Sequence, residues 1–204
     1  SWRYFLNVVN GTDLKFGRDI YFTYGPLGYL FYLMKLPGNT IEYWSGIVIW
    51  GIIFLFHLWM LLQLYRLYQK GKIHFWAITA SVCCYLAGYY APTRDNYLLY
   101  LMILAVVLWA KGAKNIVLIP NLLLLLMFFG KFSTFTSGFA FCILFCIFDV
   151  LFRKNWKSIW LFLPGIILMP VCYLVYCPSI KNLFEYVAGI LKISSGWMLT
   201  MQFD

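Results

Sequence analysis

The chain has 204 residues, of which 63% are hydrophobic and only 11% are charged. A soluble domain carries about 25% charged residues, so this composition excludes a chain whose whole surface faces water and favours one embedded in lipid. The formal net charge of +9 does not indicate a nucleic-acid partner, because basic residues of membrane proteins usually lie in loops and fix topology.

The first 43 residues predict a surface segment ahead of the first long apolar run. Residues 1–10 form one apolar helical face, typical of an amphipathic helix lying on the membrane, with Trp2, Phe5, Leu6 and Val9. Asn10-Gly11 predicts the end of this helix. The chain begins at Ser1 and residues 1–10 are not a signal peptide. We therefore expect the chain to be part of a longer protein.

A polar and aromatic block follows, comprising Gly17-Arg18-Asp19 and Phe22-Thr23-Tyr24-Gly25-Pro26-Leu27. Gly25-Pro26 predicts a turn. Aromatic side chains at a membrane boundary often serve only as interfacial anchors, and composition alone favours that interpretation. The same rings beside a carboxylate also suit a sugar site, because they stack on pyranose faces. Tyr21 and Tyr24 are the candidate substrate-binding residues for this second interpretation.

Six apolar runs then predict an all-α, polytopic transmembrane helix bundle, with spans near 44–66, 73–90, 96–110, 115–129, 133–152 and 157–177. The predicted organisation is an outer segment over 1–43, the transmembrane bundle over 44–177, and an outer juxtamembrane helix over 178–204 that leads into a missing region. That last helix has one apolar face, formed by Ile180, Leu183, Phe184, Val187 and Leu191.

Two predicted spans, 96–110 and 115–129, have only 15 residues each, whereas a crossing helix needs about 20. In one arrangement the third helix extends back through Arg94 and Asp95, and the fourth extends forward through Lys131. In the other, the two runs form re-entrant half-helices. Both arrangements bring polar groups to places where burial is costly, which indicates function.

The basic residues predict the orientation. Three short connections contain half of all lysines and arginines, namely Arg66, Lys70, Lys72, Lys111, Lys114, Arg153, Lys154 and Lys157. The positive-inside rule assigns these connections to the cytosol. Segments 1–43, 91–95 and 178–204 then face outward together. The expected location is the inner (plasma) membrane of a bacterium.

Polar residues within the spans have simpler interpretations. His57, in the middle of the first span, is expected to be a hydrogen-bonded histidine of the bundle rather than a catalytic group. Asp149 and Arg153 are spaced four residues apart on one helix and are expected to pair with each other.

These features together resemble a GT-C type glycosyltransferase, a polytopic membrane enzyme that uses polyprenyl-phosphate sugars on the non-cytosolic face. The resemblance rests on the outer amphipathic helix, on Gly17-Arg18-Asp19, and on Tyr24-Gly25-Pro26-Leu27, which is similar to an aromatic-x-Pro-Leu element of that family. A second outer loop carries Thr93-Arg94-Asp95-Asn96. Looser similarities are Gly130-Lys131-Phe132-Ser133 and Ser194-Ser195-Gly196-Trp197.

The resemblance implies an inverting sugar transfer and a set of site residues. The candidate catalytic acids are Asp19, then Asp95, with Asp13 as a further choice. The candidate contacts to the donor phosphate are Arg94, Lys131 and Arg18.

One departure concerns the catalytic base. In the family that base is an Asp at the start of the first outer loop, which falls at or before Ser1 here. It either precedes this sequence, or Asp13 or Asp19 serves instead. No cofactor is expected, with a divalent cation beside Asp95 as the alternative.

Other functions remain open. The Arg18–Asp19 and Arg94–Asp95 neighbours also suit pairs that screen each other or cap helices. A transporter or flippase subunit would place charges near the bilayer midplane and show an internal repeat, and neither is evident in the sequence. A non-catalytic membrane scaffold would tolerate neutral substitutions across the outer block. The expected partners of the favoured interpretation are membrane lipid and a polyprenyl-phosphate sugar donor.

Overall fold

A computed structural model describes residues 2–14, 19–20, 24–90, 94–176 and 179–200. Regular structure within these ranges is helical, as predicted, and comprises α1 Trp2–Val8, α2 Thr40–Gln69, α3 Phe75–Tyr90, α4 Arg94–Ala110, α5 Leu118–Gly130, α6 Phe132–Arg153, α7 Leu163–Tyr176 and α8 Ile180–Thr200. Short 3₁₀ turns connect several of them, including Gly28–Phe31 and Trp156–Leu161.

Three helical stretches of the described chain are long and apolar enough to cross a membrane: Thr40–Gln69, Phe132–Arg153 and Trp156–Val175. Three shorter apolar helices lie beside them, over Phe75–Leu86, Asn96–Ala110 and Leu118–Gly130. By length and composition, the described chain therefore has three helices of membrane-crossing size, and not the six that were predicted.

The two short predicted spans follow neither arrangement completely. Helix α4 begins at Arg94, so the predicted extension through Arg94 and Asp95 is confirmed. The predicted continuation of the fourth span through Lys131 is wrong, because α5 ends at Gly130 and Lys131 is extended, with φ −142° and ψ 110°. Helix α6 then runs back along α5, so that Gly138 lies against the side chain of Met127.

Helix α5 lies in the centre of the bundle and packs against α4, α6 and α7. Most of its residues are buried, among them Leu124 and Met127, which have no exposed surface. Its 13 residues span about 20 Å, less than the apolar core of a bilayer of about 30 Å. Because neighbouring helices surround it, α5 does not need to match that thickness itself.

Buried Asn121 ties α5 to the segment that leads into α7. Its side-chain amide donates to the carbonyl oxygens of Val117 at 2.9 Å and Trp160 at 3.0 Å. Its side-chain oxygen accepts from the backbone N–H of Gly165 at 2.7 Å. The Gly165 N–H lies in the first turn of α7, where N–H groups lack intrahelical acceptors, and Asn121 supplies that acceptor.

The long helix α2 has one buried side and one exposed apolar side. Trp50, His57 and Met60 are buried, whereas the opposite face exposes large apolar residues, including Ile47, Val48, Ile52, Leu55, Leu58 and Leu62. A broad exposed apolar face is unusual for a protein surface in water and is typical of contact with lipid.

Two of the three predicted basic connections are adjacent. A Cβ atom built on Gly112 would lie 3.8 Å from the Lys72 ammonium nitrogen, so the α2–α3 and α4–α5 connections are adjacent. The predicted Asp149–Arg153 pair at the end of α6 is confirmed, with 3.5 Å between the charged atoms. Asp149 is buried and also accepts a hydrogen bond from the Asn155 amide at 2.7 Å.

The two amphipathic helices are close to their predicted positions. In α1, Leu6 and Val9 at the adjoining turn belong to the predicted apolar face, and the protein itself buries them. Helix α8 extends to Thr200, beyond the stretch around Ile180 to Leu191 over which the apolar face predicts a helix. It faces the bundle with Leu183, Tyr186 and Ile190, whereas three members of the predicted apolar face are exposed, namely Ile180, Phe184 and Leu191.

Candidate functional site

The Tyr-Gly-Pro-Leu segment docks on the turn between α5 and α6. Tyr24 and Lys131 form an antiparallel bridge. The Gly25 N–H donates to the Gly130 carbonyl oxygen at 3.1 Å, and the Leu27 N–H donates to the Phe129 carbonyl oxygen at 2.8 Å. Carbonyl groups in the last turn of a helix lack intrahelical donors. The outer segment therefore caps the end of α5.

Glycine is required at this junction by close approach. A Cβ atom on Gly25 would lie 2.5 Å from the Phe129 carbonyl oxygen and 2.7 Å from the Tyr186 hydroxyl oxygen. A Cβ atom on Gly130 would overlap the Phe31 ring. Because Tyr186 belongs to α8, the same contact brings α8 to the docked segment. Burial raises the pKa of the Tyr186 phenol, so this hydroxyl stays protonated.

Lys131 and Tyr24 form a cation–aromatic pair at the surface of this junction. The half-buried Lys131 ammonium nitrogen lies 5.4 Å from the centre of the Tyr24 ring, within the range of a cation–π interaction. The Tyr24 hydroxyl lies 3.4 Å from that of Tyr32, and their rings meet edge to face at 5.9 Å. A cation and two phenol rings thus lie side by side.

Polar contacts from two helices hold the rest of the outer segment. Buried Asn7 of α1 donates to the Tyr32 carbonyl oxygen at 2.8 Å and accepts from the Met34 N–H at 3.0 Å. The Trp50 indole of α2 donates to the Leu30 carbonyl oxygen at 2.7 Å. These bonds fix the backbone on both sides of Tyr32.

The structure brings together two of the predicted site residues, Tyr24 and Lys131. Asp13 and Asp19 are exposed. Arg94 and Asp95 lie in the first turn of α4, and their side chains lie outside the described part of the chain. Arg18 and Tyr21 also lie outside the described residues. The roles assigned to all these residues therefore stay predictions.

Sequence reasoning missed three residues at this junction: Asn7, Tyr32 and Tyr186. Asn7 had no readable signal, because it is not part of the apolar face predicted for residues 1–10 and only the structure shows it buried beside Leu6. Tyr32 and Tyr186 had none either, because tyrosines are frequent at membrane boundaries and only tertiary packing selects these two.

A second polar cluster lies inside the bundle around His57. Its Nδ1 lies 2.6 Å from the Tyr97 hydroxyl and its Nε2 lies 3.1 Å from the Ser81 hydroxyl. The Tyr100 hydroxyl donates to Ser81 at 2.6 Å. The prediction of a hydrogen-bonded bundle histidine is confirmed. The cluster joins α2, α3 and α4 and uses both ring nitrogens of His57.

The described residues contain no group of three or more His, Cys, Asp or Glu side chains suited to a metal ion. Because the Asp95 side chain lies outside the described part, the alternative of a divalent cation beside it stays a prediction. No protein-family model, curated protein or solved structure matches this chain.

Proposed function

We propose that this chain is, or belongs to, an integral membrane glycosyltransferase that transfers a sugar from a lipid-phosphate donor on the non-cytosolic face. The observation that carries the proposal is the docking of Tyr24 against Lys131, which places a cation beside two phenol rings. A lipid-phosphate sugar needs both features, because its phosphate requires positive charge and its sugar ring stacks on aromatic faces.

Six crossings are part of this proposal, with α3, α4 and α5 completing the bundle beside the three longer stretches. The contact between Gly25 and Tyr186 supports an even number, because it brings the segments before α2 and after α7 to the same end. The adjacency of Lys72 and Gly112 supports a common opposite end for the basic connections. The positive-inside rule then assigns that basic end to the cytosol.

In the proposed reaction, a carboxylate takes the proton of the acceptor hydroxyl as its oxygen attacks the anomeric carbon. The bond from that carbon to the phosphate oxygen breaks, and the lipid phosphate leaves with the bonding electrons. Asp19 is the proposed base, with Asp95 and Asp13 as alternatives. Lys131, Arg94 and Arg18 are the proposed cations that stabilise the leaving phosphate, and Tyr21 and Tyr24 the proposed sugar contacts.

The test is sugar transfer by the full-length protein that contains this chain, in liposomes supplied with a polyprenyl-phosphate sugar. Loss of one well-placed cation typically slows transfer about 100-fold, so we expect such losses for Lys131→Ala and Arg94→Ala. Asp19→Asn tests the proposed base. The matched controls are Lys35→Ala and Glu42→Gln, which remove charges of the same signs from the outer segment and the start of α2.

Each outcome is informative. Loss of transfer in Lys131→Ala with full transfer in Lys35→Ala supports the site. Full transfer in all three site variants would overturn the residue assignment while leaving the activity in place. No transfer by the unaltered full-length protein that contains this chain, with any sugar donor, would overturn the proposal itself.

A further inference from the structure

A separate cavity opens at the basic end of the bundle, away from the Tyr24–Lys131 junction. It has a volume of about 700 Å³ and lies where α2 ends, α3 begins and the α4–α5 connection passes. Two lysines line it, Lys72 and Lys111, together with His74 and the aromatic side chains of Tyr68, Phe75 and Trp76.

The positive charge of this cavity has no acidic counterpart in the described structure. Lys72 and Lys111 form no salt bridge with any described acidic residue. Asp149 is the only acid in the sequence between Asp95 and Glu185, and it is held by Arg153 and Asn155 instead. Like charges brought together without a counterion repel one another, so this cavity favours an anion.

The start of α3 adds to the positive electrostatic potential of this cavity. Phe75 and Trp76 lie in the first turn of α3 and line the cavity. N–H groups of a first turn lack intrahelical acceptors and carry the positive end of the helix dipole. Two lysines and a helix start thus line one cavity, a combination that suits a phosphate group.

The aromatic wall of the cavity indicates that this phosphate belongs to a lipid. Phe75 is 56% exposed and Trp76 is 77% exposed, which suits rings at the level of lipid headgroups. Below them the exposed side chains of Val82 and Leu86 continue an apolar surface along α3. A lipid bound by its phosphate would lay its acyl chains along that surface.

We propose that this cavity binds the phosphate headgroup of an anionic phospholipid, with Lys72 and Lys111 as the contacts to the phosphate. The positive-inside rule places it in the cytosolic leaflet, where anionic lipids attract basic residues. The site is independent of the sugar-transfer proposal, because its residues lie at the other end of the bundle.

The test is native mass spectrometry of the full chain released from nanodiscs that contain equal amounts of phosphatidylglycerol and phosphatidylcholine. We expect one retained phosphatidylglycerol, and at least a tenfold loss of it in Lys72→Gln/Lys111→Gln. The matched control is Lys154→Gln/Lys157→Gln, which removes the same charge from the connection after α6, outside this cavity. It should change retention less than twofold.

A second arm adds inorganic phosphate to the chain in neutral detergent and measures thermal unfolding with and without phosphatidylglycerol. Stabilisation by the lipid alone, lost in the double lysine variant, supports a lipid headgroup site. Equal stabilisation by inorganic phosphate would overturn the lipid assignment in favour of a soluble anion. Equal loss of lipid in the two double variants, or equal retention of phosphatidylcholine, would overturn the site.

Discussion

Gly25 donates its backbone N–H to the carbonyl oxygen of Gly130 over 3.1 Å, and neither residue has room for a side chain. This bond joins the outer segment to the point where the chain turns from α5 into α6. It is the reason that Tyr24 lies against Lys131, and it makes the geometry of the candidate site depend on backbone contacts.

The first prediction concerns that junction. Gly25→Ala should lower the free energy of unfolding by about 1–3 kcal/mol, because the new methyl group would overlap the Phe129 carbonyl oxygen and the Tyr186 hydroxyl. The measurement is reversible unfolding in mixed micelles by titration with sodium dodecyl sulfate. Gly11→Ala is the control, since a Cβ atom there meets nothing within 4 Å. Equal stability of the two variants would contradict the docking.

The second prediction concerns the His57 cluster. His57→Ala should lower the free energy of unfolding by about 2 kcal/mol, because it leaves buried hydroxyl groups of Tyr97 and Ser81 without their partner. The neighbouring Leu58→Ala is the control, because Leu58 is 44% exposed on the exposed apolar side of α2. The same micelle titration measures both variants. A loss of unfolding free energy in His57→Ala no larger than that in Leu58→Ala would refute a stabilising role for the His57 cluster.

The third prediction concerns the bond between α5 and α7. Asn121→Ala should cost about 2 kcal/mol, because the Gly165 N–H and the Trp160 carbonyl oxygen both lose a partner in the interior. Leu118→Ala is the comparison, since Leu118 belongs to the same helix and is 65% exposed. Cysteine cross-linking between α5 and α7 should become less efficient in Asn121→Ala but not in Leu118→Ala. Unchanged cross-linking would argue against this bond as the tie.

The fourth prediction separates the two members of the Asp149–Arg153 pair. Asp149→Ala should destabilise the protein more than Arg153→Ala does, because Asp149 is buried and also holds Asn155, whereas the Arg153 side chain is 54% exposed. Removing the arginine should cost less than about 1 kcal/mol, the usual value of an exposed ion pair. Thermal unfolding of both variants in the same detergent compares their stability. A larger loss of stability in Arg153→Ala than in Asp149→Ala would contradict the prediction.

The fifth prediction tests the number of crossings. Asp13→Cys and Lys181→Cys are each introduced as the single cysteine of a chain whose native cysteines are replaced by alanine. Both should react with a membrane-impermeant maleimide added to the same side of the membrane. Lys72→Cys should react only from the other side. Six crossings put residues 13 and 181 on one face, whereas three crossings by the longer stretches alone would put them on opposite faces. Labelling of intact cells and inverted vesicles decides between these results.

The sequence by itself was enough to predict the helical fold. Long apolar runs favour lipid over water, and in lipid a single segment can satisfy its backbone hydrogen bonds only within a helix. Local spacing also predicted the Asp149–Arg153 pair, since residues four apart on a helix are neighbours. The hydrogen-bonded state of His57 followed from the cost of leaving a polar ring unsatisfied in an apolar span.

Tertiary structure alone decided what meets the end of the short helix α5. The predicted spans 115–129 and 133–152 already left a break at residues 130–132, where α5 ends and α6 begins. Hydropathy does not distinguish a helix that faces lipid from one covered by protein, so it could not predict what packs against that break. The contacts of Tyr24 with Lys131, and of Lys72 with the α4–α5 connection, join residues far apart in sequence. Such pairs depend on how the helices pack, because no local periodicity or propensity relates one partner to the other.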